Sequence, residues 1–178
     1  ALKGSEGYLY DVVTVLQQVL SNEARECQQK MSAAFEEGNA EAFTACAEQF
    51  LSVMDDMETV TGANKYYLLG RWVEQAKSLA EGTDDFTRKL LEINAKALIT
   101  TWGSCQQSEI GHLHDYSNRQ WAGLISDFYK PRWERWIRAR TAELKNEPYE
   151  KDINWFQWEW SWVRTSQTFA AMPTSPDL

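Results

Sequence analysis

"INWFQWEWSWV", Ile153–Val163, admits two periods, and the choice between them decides the fold class. Trp158, Trp160 and Trp162 alternate as they would along a strand, whereas Trp155, Phe156, Trp158, Trp162 and Val163 also fit a helix capped by Asp152. A strand needs a partner, and no partner strand is legible anywhere else in the chain. The segment is therefore expected to be a helix, and the protein all-α.

Working outward, "DYSNRQWAGLISDFYKPRW", Asp115–Trp133, carries Trp121, Leu124, Ile125 and Phe128 as a helical stripe that meets Pro131, which lacks the N–H a helix would use to continue. Trp133, Trp136, Ile137 and Arg140 resume the three-four spacing, which gives two helical pieces joined at "YKPRW". Before it, "SCQQSEIGHLH" (104–114) shows no period and reads as one long loop. Near the start, Leu9, Val12, Val13, Leu16, Val19 and Leu20 predict a helix from Tyr8 toward Phe35, closed by the glycine turn "EEGN". A second helix is expected from Ala40 through Phe43, Ala47, Phe50, Met54 and Met57, stopping before Gly62. "NKYYLLGRWVEQAKSLAEG" reads as a third, with Leu68, Leu69, Trp72, Val73 and Ala76 on one face and its end near Gly82. A fourth, capped by Thr83 or Asp84, has Phe86, Leu90, Leu91, Asn94, Leu98 and Trp102 as its stripe and Gly103 as its stop. The sum is a bundle of about six helices with a proline-kinked helix, one domain over residues 1–172 and a loosely held tail at 173–178.

A chain of 178 residues with 43% apolar residues is long enough for one core. A net charge of -8, with basic residues scattered among acids, argues against a nucleic-acid partner. No apolar run approaches the roughly 20 residues that span a bilayer, and "ALKGSEGYLY" lacks the features of a signal peptide. With no initiating Met, the chain is expected to be a piece of something larger. Cys27, Cys46 and Cys105 form no C-x-x-C pair; Cys27 and Cys46 sit in helical patterns as small thiols, and the spacing leaves one disulfide open.

The adjacent acids at Glu36, Asp55 and Asp84 point about 100° apart on a helix and suit solvation or capping rather than a catalytic dyad. His112 and His114, with Cys105, Glu109 and Asp115 nearby, are too weak a pattern for a metal site, since H-x-H supplies only two of four ligands. No G-x-S-x-G, P-loop or G-x-G-x-x-G occurs. Nine tryptophans must be covered, and seven of them between Trp121 and Trp162 exceed what one bundle core buries, which predicts an exposed apolar face. Trp102 stands apart: at a helix end beside Gly103, its ring is placed to stack on a sugar face or to anchor an interface.

"YLLGRWVEQAKSLA", "ITTWG" and "DYSNRQWAGLISDFYKPRW", in that order, resemble the C-terminal helical region of the alpha-N-acetylglucosaminidases, glycoside hydrolase family 89. Tyr116, Asn118, Gln120, Ala122, Gly123, Leu124, Tyr129, Pro131, Arg132 and Trp133 match a run of the form "LDYxNxQxAGLxxxxYxPRW", with His114 where the family has Leu and a longer "CQQSEIGHL" before it. The resemblance implies a helical domain packed on a (beta/alpha)8 barrel that carries both catalytic glutamates, neither of them in this chain. It further implies a retaining exo-glycosidase for terminal alpha-linked N-acetylglucosamine, working in a periplasmic, extracellular or lysosomal compartment. From the residues themselves, no cofactor and no metal are expected. Trp102, Gly103, His112, His114, Asp115 and Tyr116 would then form a rim of the sugar pocket. Asn118, Gln120, Gly123, Tyr129, Pro131, Arg132 and Trp133 would shape the seam beneath it. The alternatives are a stand-alone carbohydrate-binding module and a protein-interaction bundle.

Overall fold

The computed structural model describes residues 5–111 and 115–174; His112, His114 and the last part of the tail lie outside them. The described residues form seven α-helices and no strand beyond one isolated bridge. Helix α1 (Glu6–Glu36) and α2 (Ala40–Gly62) form an antiparallel hairpin. Gly38, at φ 69°, turns the chain between them, and Asn39 caps α2 by accepting the Ala42 N–H at 3.0 Å. Their facing residues Cys27, Met31 and Ala34 meet Phe43, Ala47 and Phe50, and Ile137 of α6 (Lys130–Leu144) closes this first core.

A second core gathers Leu69 and Val73 of α3 (Leu69–Ser78) with Ile99, Leu124, Phe128, Trp162 and Val163. The ambiguous segment is helix α7 (Trp155–Arg164). Its cap is Asn154, not Asp152, because the Asn154 side chain is the one that receives the Gln157 N–H, at 2.9 Å. The Trp162 ring lies 4.7 Å from Phe128, centroid to centroid, and Trp158 lies 5.6 Å from it.

Three sequence expectations give way to specific hydrogen bonds. The third helix begins later and ends earlier than its pattern suggests, running only from Leu69 to Ser78. Asn64 instead caps a 3-10 turn at Lys65–Tyr67 by accepting the Tyr66 N–H at 3.0 Å. Beyond it Leu68 extends beside Ala122, whose N–H and carbonyl bond Tyr67 and Leu69 at 2.8 and 3.0 Å. The expected long loop contains a short helix, α5 (Cys105–Gly111). It is started by a reciprocal cap: Ser104 Oγ receives the Gln107 N–H, and Gln107 Oε1 receives the Ser104 N–H at 3.3 Å. Trp121, finally, precedes its helix instead of lying in it.

The apolar stripe of α4 (Asp85–Leu98) is reversed from expectation, although Asp84 caps it as predicted by accepting the Thr87 N–H at 2.7 Å. Phe86, Leu90, Leu98 and Trp102 are 76%, 44%, 45% and 42% exposed, while Glu92, Ala95, Lys96 and Ile99 are buried. The physical reason is that the carbonyls at the C-terminus of α7 have no N–H from a following helical turn. Lys96 Nζ donates to the Trp162 carbonyl at 3.0 Å and to that of Thr165, with Glu92 at 3.8 Å. Burial pulls the Lys96 pKa below its ordinary value, against the upward pull of Glu92 and Asp127. A cation at a helix C-terminus is also stabilised by the negative end of the macrodipole.

"YKPRW" joins two helical pieces as expected, by a specific device. A π-helical segment, Ile125–Tyr129, runs into α6, and the Lys130 N–H bonds the Ile125 carbonyl five residues back. Pro131 then falls in the first turn of α6, where its fixed φ is compatible with the helix. The segment is started by Glu58 of α2, which accepts the Gly123 N–H at 2.7 Å and the Ser126 N–H at 3.1 Å. Gly70 lets α3 pass directly under the returning C-terminal segment: a Cβ there would stand 2.3 Å from the Ala170 carbonyl oxygen. Further along that segment, the Thr174 N–H bonds the Gly62 carbonyl at 3.1 Å.

Replacing Lys96 with Met removes one partner of a buried pair and uncovers two carbonyls, so the variant should lose about 3 to 5 kcal/mol of stability. Denaturant unfolding checks this, and a midpoint unchanged from that of the parent would contradict it.

Candidate functional site

Two turns build the site. After α4 the chain folds back: the Thr100 hydroxyl donates to the Lys96 carbonyl at 2.8 Å, and the Trp102 N–H donates to the Ala97 carbonyl at 2.7 Å. Trp102 itself takes the left-handed conformation, φ 59°, which is rare for a bulky residue and throws its ring outward. Asp115 is left-handed as well, φ 55°, and its N–H donates to the Thr100 carbonyl at 2.8 Å. That bond ties the two turns together. It sets the Tyr116 ring against Trp102, with centroids 5.1 Å apart and planes at 55°. Both rings are open to solvent, Tyr116 at 67%.

Helix α5 closes the near side. Ser108 Oγ donates to the Thr101 carbonyl at 2.5 Å, and Thr101 Oγ1 donates to the Gly103 carbonyl at 2.8 Å. Thr101, Trp102, Gly103, Gln107 and Ser108 line a cleft of about 320 Å³. A Cβ at Gly103 would come within 3.2 Å of Gln107 Oε1, the atom that caps α5.

Beneath the rings lies a buried ion-pair hub. Arg132 Nη2 donates to Asp115 Oδ2 and Arg132 Nη1 to Glu159 Oε1, both at 2.6 Å. Glu159 is completely buried on the inner face of α7, and the Arg132 side chain is only 18% exposed. Burial acts to lower the Arg132 pKa, and the two carboxylates outweigh it, leaving the guanidinium above its ordinary value. Its carbon lies 5.2 Å from the ring centroids of both Phe128 and Tyr129. Burial likewise holds the Tyr129 hydroxyl above the usual tyrosine range. Trp133 packs at 4.8 Å on Phe50 and at 5.6 Å on Trp136. With Trp155, Asp115, Arg132 and Glu159, these two tryptophans line a groove of about 380 Å³.

The seam residues are brought together as well. Gln120 donates to Ser21 Oγ at 2.8 Å and accepts Gln17 Nε2 on its carbonyl at 2.7 Å, pinning the 115–121 segment to α1. The Asn118 N–H bonds the Asp115 carbonyl at 3.3 Å. Gly123, at φ 88°, turns the chain over Leu69. Of the rim residues, Trp102, Gly103, Asp115 and Tyr116 converge, while His112 and His114 lie outside the described residues. Among the described residues no cluster of three or more His, Cys, Asp or Glu side chains is placed to hold a metal.

Glu159 and Lys96 escape a reading by stripes. Glu159 does leave a signal, since its spacing from Trp155 and Trp162 puts a carboxylate on the apolar face of its own helix. The arrangement supplies aromatic faces and fixed loops. Its carboxylates Asp115 and Glu159 share the Arg132 guanidinium, which makes them an ion-pair hub.

A family model described as "Alpha-N-acetylglucosaminidase (NAGLU) C-terminal domain" matches residues 1–178. Alpha-N-acetylglucosaminidase of Homo sapiens is 31% identical over 133 residues, which cover 71% of this chain and 16% of that protein. A family 89 glycoside hydrolase of Clostridium perfringens, solved with its substrate GlcNAc-alpha-1,4-galactose, superposes with a TM-score of 0.93 at 38% identity, over 98% of this chain and 20% of that one. The same organism's enzyme in complex with PUGNAc gives a TM-score of 0.90 over 95% of this chain, again at 38% identity. The chain thus spans about a fifth of the length of these relatives. Across all of its residues, the chain belongs to the family of alpha-N-acetylglucosaminidase C-terminal domains.

Proposed function

We propose that this domain packs against a catalytic barrel in the same polypeptide and supplies part of the rim of a pocket for terminal alpha-linked N-acetylglucosamine. The observation that carries this reading is the Trp102–Tyr116 pair, two exposed rings held in contact by left-handed turns that only a dense set of backbone bonds maintains. Such rings offer flat apolar faces to the C–H side of a pyranose. They also exclude water beside the reacting bond. The relatives described with a GlcNAc-containing substrate and with PUGNAc support the sugar class.

The exposed α4 stripe of Phe86, Leu90 and Leu98 leads to Trp102, and it supports packing of a neighbouring region along that face, with the rim at its edge. We read residues 1–172 as one helical domain with 173–178 as its tail, and the acid and nucleophile as residues of the barrel. A periplasmic, extracellular or lysosomal compartment suits this activity. No helix among the described residues is long and apolar enough to cross a membrane.

In the full-length enzyme, Trp102→Ala should lower kcat/KM by about tenfold to a hundredfold, equivalent to about 1.4 to 2.7 kcal/mol of transition-state stabilisation. Its melting temperature should stay close to that of the parent, because an exposed ring leaves no cavity. Full activity combined with early unfolding would make Trp102 a packing residue. The purified chain alone should fold to a helical state yet leave an aryl alpha-N-acetylglucosaminide intact, and turnover by it would contradict the reading.

A further inference from the structure

We infer that Glu159 and Arg132 are positioning residues for the sugar site, acting on the Trp102–Tyr116 rim through Asp115. The inference rests on the reading that this rim faces the sugar. Glu159 is wholly buried in α7, and a carboxylate so placed is held only by strong pairing. Arg132 Nη1 supplies that pairing at 2.6 Å, and the other arm of the same guanidinium reaches Asp115 Oδ2 at 2.6 Å. A guanidinium is a rigid planar fork, so the direction set by Glu159 at one arm fixes where the other arm holds Asp115.

Asp115 needs that hold, because its backbone sits in the left-handed region at φ 55° and its N–H spans to Thr100. Tyr116 follows it directly in the chain. At 67% exposed, the Tyr116 ring has little core packing of its own, and its contact with Trp102 depends on the backbone that Asp115 sets. The chain of contacts therefore runs from α7, through α6, to the loop that carries the ring. Arg132 also lies against the Phe128 and Tyr129 rings, which anchor the fork in the second core.

The test uses the full-length enzyme and an aryl alpha-N-acetylglucosaminide, with Glu159→Gln and Asp115→Asn made in the parent and in the Trp102→Ala background. Glu159→Gln keeps the shape and removes the charge. Asp115→Asn suits the left-handed backbone and breaks the pair from the exposed side, so it carries the test if the buried variant does not fold. Each should lower kcat/KM about tenfold in the parent, the size of effect that a small misplacement of a positioning group produces. Each should change it less than about threefold once Trp102 is gone, because groups acting through one another are not additive. Parent-like kcat/KM in both variants, or a loss of equal size in both backgrounds, would overturn the inference and leave the rim reading intact. A Trp102→Ala enzyme with full activity would overturn the rim reading and this inference together.

Discussion

A guanidinium taken out of water has to be met on both arms, and in this domain that requirement joins three elements that the chain keeps far apart. Arg132 in α6 is held by Glu159 of α7 and by Asp115 of the loop after α5. Each ion pair alone would be a poor source of stability, since desolvation offsets most of the attraction. What the pair of bonds does provide is direction. Only one relative placement of α6, α7 and the loop lets both carboxylates meet the same planar group.

Lys96 repeats the logic at the other end of α7. Its ammonium closes the last carbonyls of that helix, while Asn154 closes the first N–H groups, so α7 is fixed at both ends and in the middle. The two apolar cores then fill in around this frame, one between the α1–α2 hairpin and α6, the other around Phe128 and Trp162. The side of α4 that would have served as a core stripe is thereby turned outward. An exposed apolar face that ends at an exposed tryptophan suits the packing neighbour proposed for this domain.

Much of this was legible in the sequence where local signals agree with the tertiary result. Gly38 and Asn39 mark the α1–α2 turn, Asp84 caps α4, and the aromatic run at Trp155–Val163 is helical because no strand is there to pair with it. Several of the failures share a cause, a polar side chain used inside the fold. Lys96 and Glu92 invert the α4 face, since a rule that places charges outside cannot foresee a lysine bound to another helix's carbonyls. Asn64 and Ser104 redirect short segments through side-chain caps that carry no hydrophobic period. At the site, Trp102 stood out by its place beside Gly103, but its left-handed backbone and its contact with Tyr116 depend on a bond from Asp115 to Thr100 that no spacing encodes.

The most direct measurement is a crystal structure of the full-length enzyme with an N-acetylglucosamine-derived inhibitor bound. The account predicts the Trp102 and Tyr116 rings within about 4 Å of the sugar, the range of van der Waals contact, with Arg132 still bridging Asp115 and Glu159. Rings that turn away from the ligand, or a bridge that opens when the sugar is bound, would contradict it.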